Sequence, residues 1–80
     1  MTKEELRTAV GSRLRARRKE LHLSLQAVGR GAGLSFGFIS QIEMGRNFPS
    51  LDALYRVAKA LDLSLVALFA GIDATRTEEK

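Results

Sequence analysis

Gln41 carries the most specific chemistry in this 80-residue chain. Its amide sets a donor beside an acceptor, a pair that matches the N6 and N7 edge of adenine in the major groove of a duplex. It stands in the run SFGFISQIE, residues 35–43, where Ile39 and Ile42 fall on one helical face with Phe38 at its edge. Phe36, Gly37, Ser40 and Gln41 are left on the other face. A ring at Phe36 could press on thymine methyls, and Gly37 could let the backbone approach a groove closely. Each also has a plainer reading. Glutamine suits any exposed helix, and an exposed aromatic is ordinary or packs on its own domain or a protein partner.

Other chemistries lack their residues. His22 is the only histidine and there is no cysteine, so neither a metal-ligand set nor a thiol nucleophile can be assembled. No nucleophile has a neighbouring base, and no glycine-rich phosphate loop is present. The expectation is a protein without cofactor or metal, and not an enzyme. Nothing resembles a signal peptide or a membrane-spanning run, so no membrane association and a cytoplasmic location are expected. The formal net charge is +4. Residues 1–70 carry 11 basic and 6 acidic side chains, whereas residues 71–80 carry 2 and 3. The excess therefore lies in the part expected to fold, and it favours a polyanionic partner.

The elements that position these groups can be read from caps and apolar spacing. Thr2 with Glu5 makes a capping-box pattern, so a first helix starts near Lys3 with Leu6, Val10, Leu14 and Leu21 as its buried stripe. Ser24 caps a second helix that runs to about residue 31. Gly33 then reverses the chain, reaching φ > 0 at no steric cost. Ser35 caps a third helix, from Phe36 to about Met44, closed by Gly45. Gly29 falls mid-helix, where glycine costs roughly 1 kcal/mol against alanine, and so predicts a second helix passing too close for a larger side chain. Beyond Pro49, Ser50 caps a fourth helix with Leu51, Leu54, Val57, Ala58 and Leu61 at helical spacing. Ser64 caps a short fifth helix carrying Leu65, Leu68 and Phe69, ended by Gly71. The sum is an all-α, compact five-helix domain over residues 1–71 with a central helix-turn-helix. No internal repeat or strand-like alternation is seen, and residues 72–80 read as a flexible, solvated tail.

With these elements in order, the chain resembles the phage-repressor and Cro-like (XRE-type) helix-turn-helix family over about residues 10–69. The resemblance rests on VGSRLRARRKELHLS, on Gly29 and Gly33, on ISQIEMGRNFPSL with Glu43, Gly45 and Pro49, and on LYRVAKALDLSLVALF. It implies a domain that binds double-stranded DNA as a homodimer through the second helix of the motif. Phe36, Gly37 and Gln41 then take the base-reading positions with Ser35 and Ser40 nearby, and Gln26, Arg46 and Asn47 flank them. It further implies a partly buried salt bridge between Arg18 and Glu43. Helix N-termini at Leu25 and Phe36 offer N–H groups to phosphates, and Arg13, Arg17 or Arg30 could add charge. Four positions depart from the family pattern. Arg17 stands where an apolar residue is usual, so its stem is expected to cover the core while the guanidinium reaches water. His22 replaces a common glycine, and since histidine tolerates φ > 0 better than most residues it is expected to serve as the stop after the first helix. Phe36 and Gly37 stand where hydrogen-bonding side chains are common.

The reading is a sequence-specific transcriptional regulator, most simply a repressor, with its recognition helix in the major groove. Subunit pairing is expected through the last helix, by Leu65, Leu68 or Phe69, although the same residues could complete the monomer core. The alternative is a protein-interaction module, antitoxin-like or an adaptor, with Phe36 and Phe48 as contacts. The chain could also be the DNA-binding part of a longer regulator.

Overall fold

Every helix among the described residues begins at a hydroxyl. Thr2, Ser24, Ser35, Ser50 and Ser64 each accept a hydrogen bond from the backbone N–H three residues on, at 3.0–3.1 Å. In the computed structural model, which describes residues 1–72, these caps start α1 (Lys3–Glu20), α2 (Leu25–Ala32), α3 (Phe36–Glu43), α4 (Leu51–Ala60) and α5 (Leu65–Phe69). Thr2 completes the expected capping box, its own N–H donating to Glu5 Oε1 at 2.8 Å. The all-α, five-helix expectation holds among these residues.

The stops are as regular as the starts. Gly33 ends α2 at φ 71°, and His22 takes φ 58° after α1, as its position required. Asp62 does the same after α4 at φ 53°. The sequence reads as free of internal repeats, yet one short turn occurs twice: LHLSL at residues 21–25 and LDLSL at 61–65 take the same form. In both, the left-handed residue is followed by a leucine whose N–H returns to a carbonyl five residues back, and then by the serine that caps the next helix.

Arginines close several of the remaining carbonyls. Arg17 Nε donates to Leu61 O at 2.9 Å and Nη2 to Asp62 O at 3.2 Å, while Arg13 Nη1 reaches Leu68 O at 3.1 Å. Arg56 Nη1 donates to Ala32 O, the last residue of α2, at 2.9 Å. Each cation thus sits at the negative end of a helix dipole. The Arg17 guanidinium, expected in water, instead ties α1 to the end of α4.

Val10, Leu14, Val28, Ile39, Ile42, Leu54, Val57, Leu61 and Leu68 form the buried centre. Two glycines let backbones meet around it. A Cβ on Gly11 would collide with the carbonyl oxygens of Ile42 and Glu43, so α1 lies directly against the end of α3. A Cβ on Gly29 would strike Leu34 O; the close neighbour is the turn leading into α3, not a helix body. Three expectations need correction. Leu51 is 71% exposed, because it is the first residue of α4 and has only solvent above it. Leu68 is fully buried, so it completes the monomer core and has no surface left for a partner. Ile72, assigned to the tail, is 4% exposed and packs into the same cluster, which extends the folded part by one residue. Positions 73–80 of the expected tail lie outside the described residues.

At the α1–α3 crossing, Arg18 Nε and Nη2 donate to the two carboxylate oxygens of Glu43 at 2.8 and 3.0 Å. The side chains are 13% and 4% exposed, and Arg18 Nη1 also donates to Leu23 O. Truncating one partner leaves the other charge buried and unmatched. Glu43→Ala is therefore expected to lower unfolding free energy by about 3–5 kcal/mol in urea denaturation; a loss below about 1 kcal/mol would reduce the pair to an ordinary surface contact.

Candidate nucleic-acid interface

α3 is held by one face and open on the other. Ile39, Ile42 and Glu43 are buried, and Phe38 packs against the core edge. Opposite them, Phe36 is 54% exposed and Gly37 faces open space, with Ser40 and Gln41 half-buried. Ser35 is exposed but engaged, its Oγ accepting from Phe38 N–H at 3.1 Å. Gln26, Arg46 and Asn47 are exposed at the flanks. The residues proposed from the sequence as a contact set are therefore all at or near the surface around one short helix.

Two hollows run along the side of α3 that carries Phe36 and Ser40. The first, against α2, is lined by Gln26, Gly29, Arg30, Gly33, Leu34 and Phe36. The second gathers Arg15, Arg18, Leu25, Ser40, Met44 and Arg46, with Glu43 at its floor. Glu43 is matched there by Arg18, whose hydrogen bonds to that carboxylate hold its pKa above the ordinary guanidinium value. The exposed Arg15 and Arg46 consequently face outward over an already neutralised pair. The first residue of α2 lines this hollow as well, so the start of that helix lies beside two exposed cations.

The structure divides the arginines that sequence reasoning had pooled. Arg13 and Arg17 are spent on the carbonyls of α5 and α4, on the far side of α1 from the hollows, so they are not part of this surface. Arg30 and Arg46 are part of it. Arg15 was counted only as charge, yet it belongs to the set. A signal existed: Arg15 lies three residues before Arg18, on the same face of α1, and Arg18 was already tied to the end of the third helix. Among the described residues no cluster of histidine, cysteine, aspartate and glutamate could hold a metal. No described helix is long and apolar enough to cross a membrane.

Comparisons with known proteins agree with this fold. A sequence profile for the family HTH_3, described as helix-turn-helix, matches residues 14–68. An HTH-type transcriptional regulator of Mycobacterium tuberculosis is 39% identical over 64 residues, covering 78% of this chain and 46% of that protein. The chain thus spans about half the length of that relative. Among solved structures, the clp gene regulator ClgR of Corynebacterium glutamicum superposes with a TM-score of 0.81 at 28% identity, over 90% of this chain and 77% of that one. The restriction-modification controller protein C.AhdI of Aeromonas hydrophila superposes with a TM-score of 0.76 at 30% identity, over 79% and 96%.

The division of the arginines can be measured without any ligand. Arg13→Ala and Arg17→Ala each remove charged hydrogen bonds to helix carbonyls and are expected to cost about 1 kcal/mol or more in unfolding free energy. Arg15→Ala, Arg30→Ala and Arg46→Ala should stay within about 0.5 kcal/mol of the parent. Equal losses in the two groups would contradict the assignment.

Proposed function

The chain belongs to the HTH_3 helix-turn-helix family, and from that premise we propose that it is a sequence-specific regulator of transcription that lays α3 in the major groove of duplex DNA. The observation that carries this reading is the asymmetry of α3. Its buried face is locked to α1 and the turn before it, while its other face carries exposed Phe36 and Gly37 and half-buried Ser40 and Gln41, with exposed Arg15, Arg30 and Arg46 in the hollows alongside. A rigid helix with base-sized side chains between flanking cations supplies both kinds of contact that DNA recognition requires. Gln41 reads an adenine edge, and Gln26, Arg46 and Asn47 meet phosphates. The mode of regulation is repression, since occupying a promoter needs nothing beyond these contacts.

One helix reads few base pairs, so the working unit is a homodimer on two half-sites about 34–36 Å apart. Its contact is α5. Val66 is 82% exposed there, with Leu65 and Phe69 half-buried beside it. The alternative, a protein-interaction module, draws on the exposure of Phe36 and Phe48.

Selection from random duplexes at two salt concentrations tests the reading. An enriched inverted repeat is expected, and affinity should fall about a thousandfold or more between about 50 and 200 mM salt if six or more phosphates are contacted. Gln41→Ala should then relax preference at one position in each half-site, by about 1–3 kcal/mol of discrimination. Retention of no duplex at low salt would favour the protein-interaction alternative. For the dimer, Val66→Glu is expected to sediment as a folded monomer; an unchanged dimer would remove α5 from the interface.

A further inference from the structure

Of the seven glycines, six have a reason visible in the fold. Gly11 and Gly29 lie against backbone carbonyls, and Gly31 lies 3.1 Å, by its would-be Cβ, from Ala60. Gly33, Gly45 and Gly71 have φ between 71° and 75°. Gly37 has none of this. It is the second residue of α3, its backbone is not in the left-handed region, and a Cβ there would meet nothing within 4 Å. Within a helix, glycine is the poorest choice after proline. The domain gains nothing from it, so the space it leaves is for something outside the domain.

Its neighbour gives the chemistry of that something. Phe36 is more than half exposed, whereas Phe38 and Leu34 beside it are partly buried against the core cluster. Its ring borders the hollow that also holds Gln26 and Arg30. Packing on its own domain therefore leaves more than half of this side chain uncovered. The first turn of a recognition helix is the part that meets base edges, and here it offers no side-chain hydrogen bond at two successive positions. The one apolar feature on the major-groove edge of a base pair is a pyrimidine C5 methyl.

Resting on the DNA reading above, we propose that Phe36 and Gly37 together recognise a pyrimidine 5-methyl group in each half-site. Gly37 lets the first turn of α3 settle close to the base edges, and the Phe36 ring packs on the methyl. The exposed Arg30 beside the ring holds the neighbouring phosphate and so fixes the register of the contact. Because the contact is with a methyl group and not with a base-specific hydrogen bond, thymine and 5-methylcytosine are both sources of it.

The test uses the duplex enriched in the selection. Each thymine is replaced in turn by uracil, which removes only the methyl, and at the sensitive position T·A, U·A, 5-methyl-C·G and C·G pairs are compared. Losing one buried methyl should weaken binding about fourfold per half-site. Phe36→Ala should still bind but treat T·A and U·A alike. Gly37→Ala should melt at a higher temperature than the parent while binding the methylated duplex less tightly. Methyl sensitivity in both pairs supports a reader of either pyrimidine, and sensitivity in T·A alone supports a reader of thymine. Normal enrichment with no uracil-sensitive position, or an effect that persists in Phe36→Ala, overturns this proposal and leaves the DNA reading standing. If the parent chain binds no duplex at all, both fall.

Discussion

The contact on which the rest of the structure depends is the crossing of α1 over the end of α3. Gly11 removes the side chain that would hold the two backbones apart, and the forked pair of Arg18 and Glu43 closes the gap that remains. Backbone contact fixes the distance between the helices. The two-pronged ion pair fixes their relative rotation, since both carboxylate oxygens must meet the planar guanidinium. That rotation decides which residues of α3 face inward. With Ile39 and Ile42 turned to the core, Phe36, Gly37, Ser40 and Gln41 have only the outside to occupy.

Arginine serves two purposes in this chain that composition cannot separate. Arg13, Arg17 and Arg56 neutralise the ends of α5, α4 and α2, each by donating to carbonyls that the helix itself leaves unpaired. For a chain of this size, with a small core and no disulfide, such ties hold the short α5 and the loop after α4 in place where apolar area is limited. Among the described residues, Arg15, Arg30 and Arg46 then line the hollows beside α3 as exposed charge. The positive field in front of α3 is smaller than the net charge of the chain suggests, but it is concentrated.

What could be read from the sequence was local. Hydroxyl caps, the capping box, the positive-φ stops at His22 and Gly33, and the inward face of SFGFISQIE all depend on residues within one turn of each other, and all appear as expected. What could not be read depends on residues far apart in the chain. Leu51 and Leu68 share the same apolar chemistry and helical spacing, yet one opens to solvent and the other is sealed, because spacing names a face and not what covers it. Arg17 reaches a carbonyl 44 residues away, and no pattern around Arg17 encodes that. Nothing in the residues around Gly11 marks it as the place where the end of α3 comes to rest. The contact set around α3 was legible as types and positions. Arg15 was legible there through its spacing from Arg18, and the α1–α3 crossing brings it to the hollow beside α3.

The central claim is that the open face of α3, with the hollows beside it, is the DNA surface of this protein. Amide chemical shifts of the isotope-labelled chain, followed during titration with an enriched duplex, test it most directly. Shifts are expected to concentrate in the first turn of α2, in residues 35–41 and at Arg46 and Asn47, while α4 stays still. Shifts centred on α4 with α3 unmoved would contradict it.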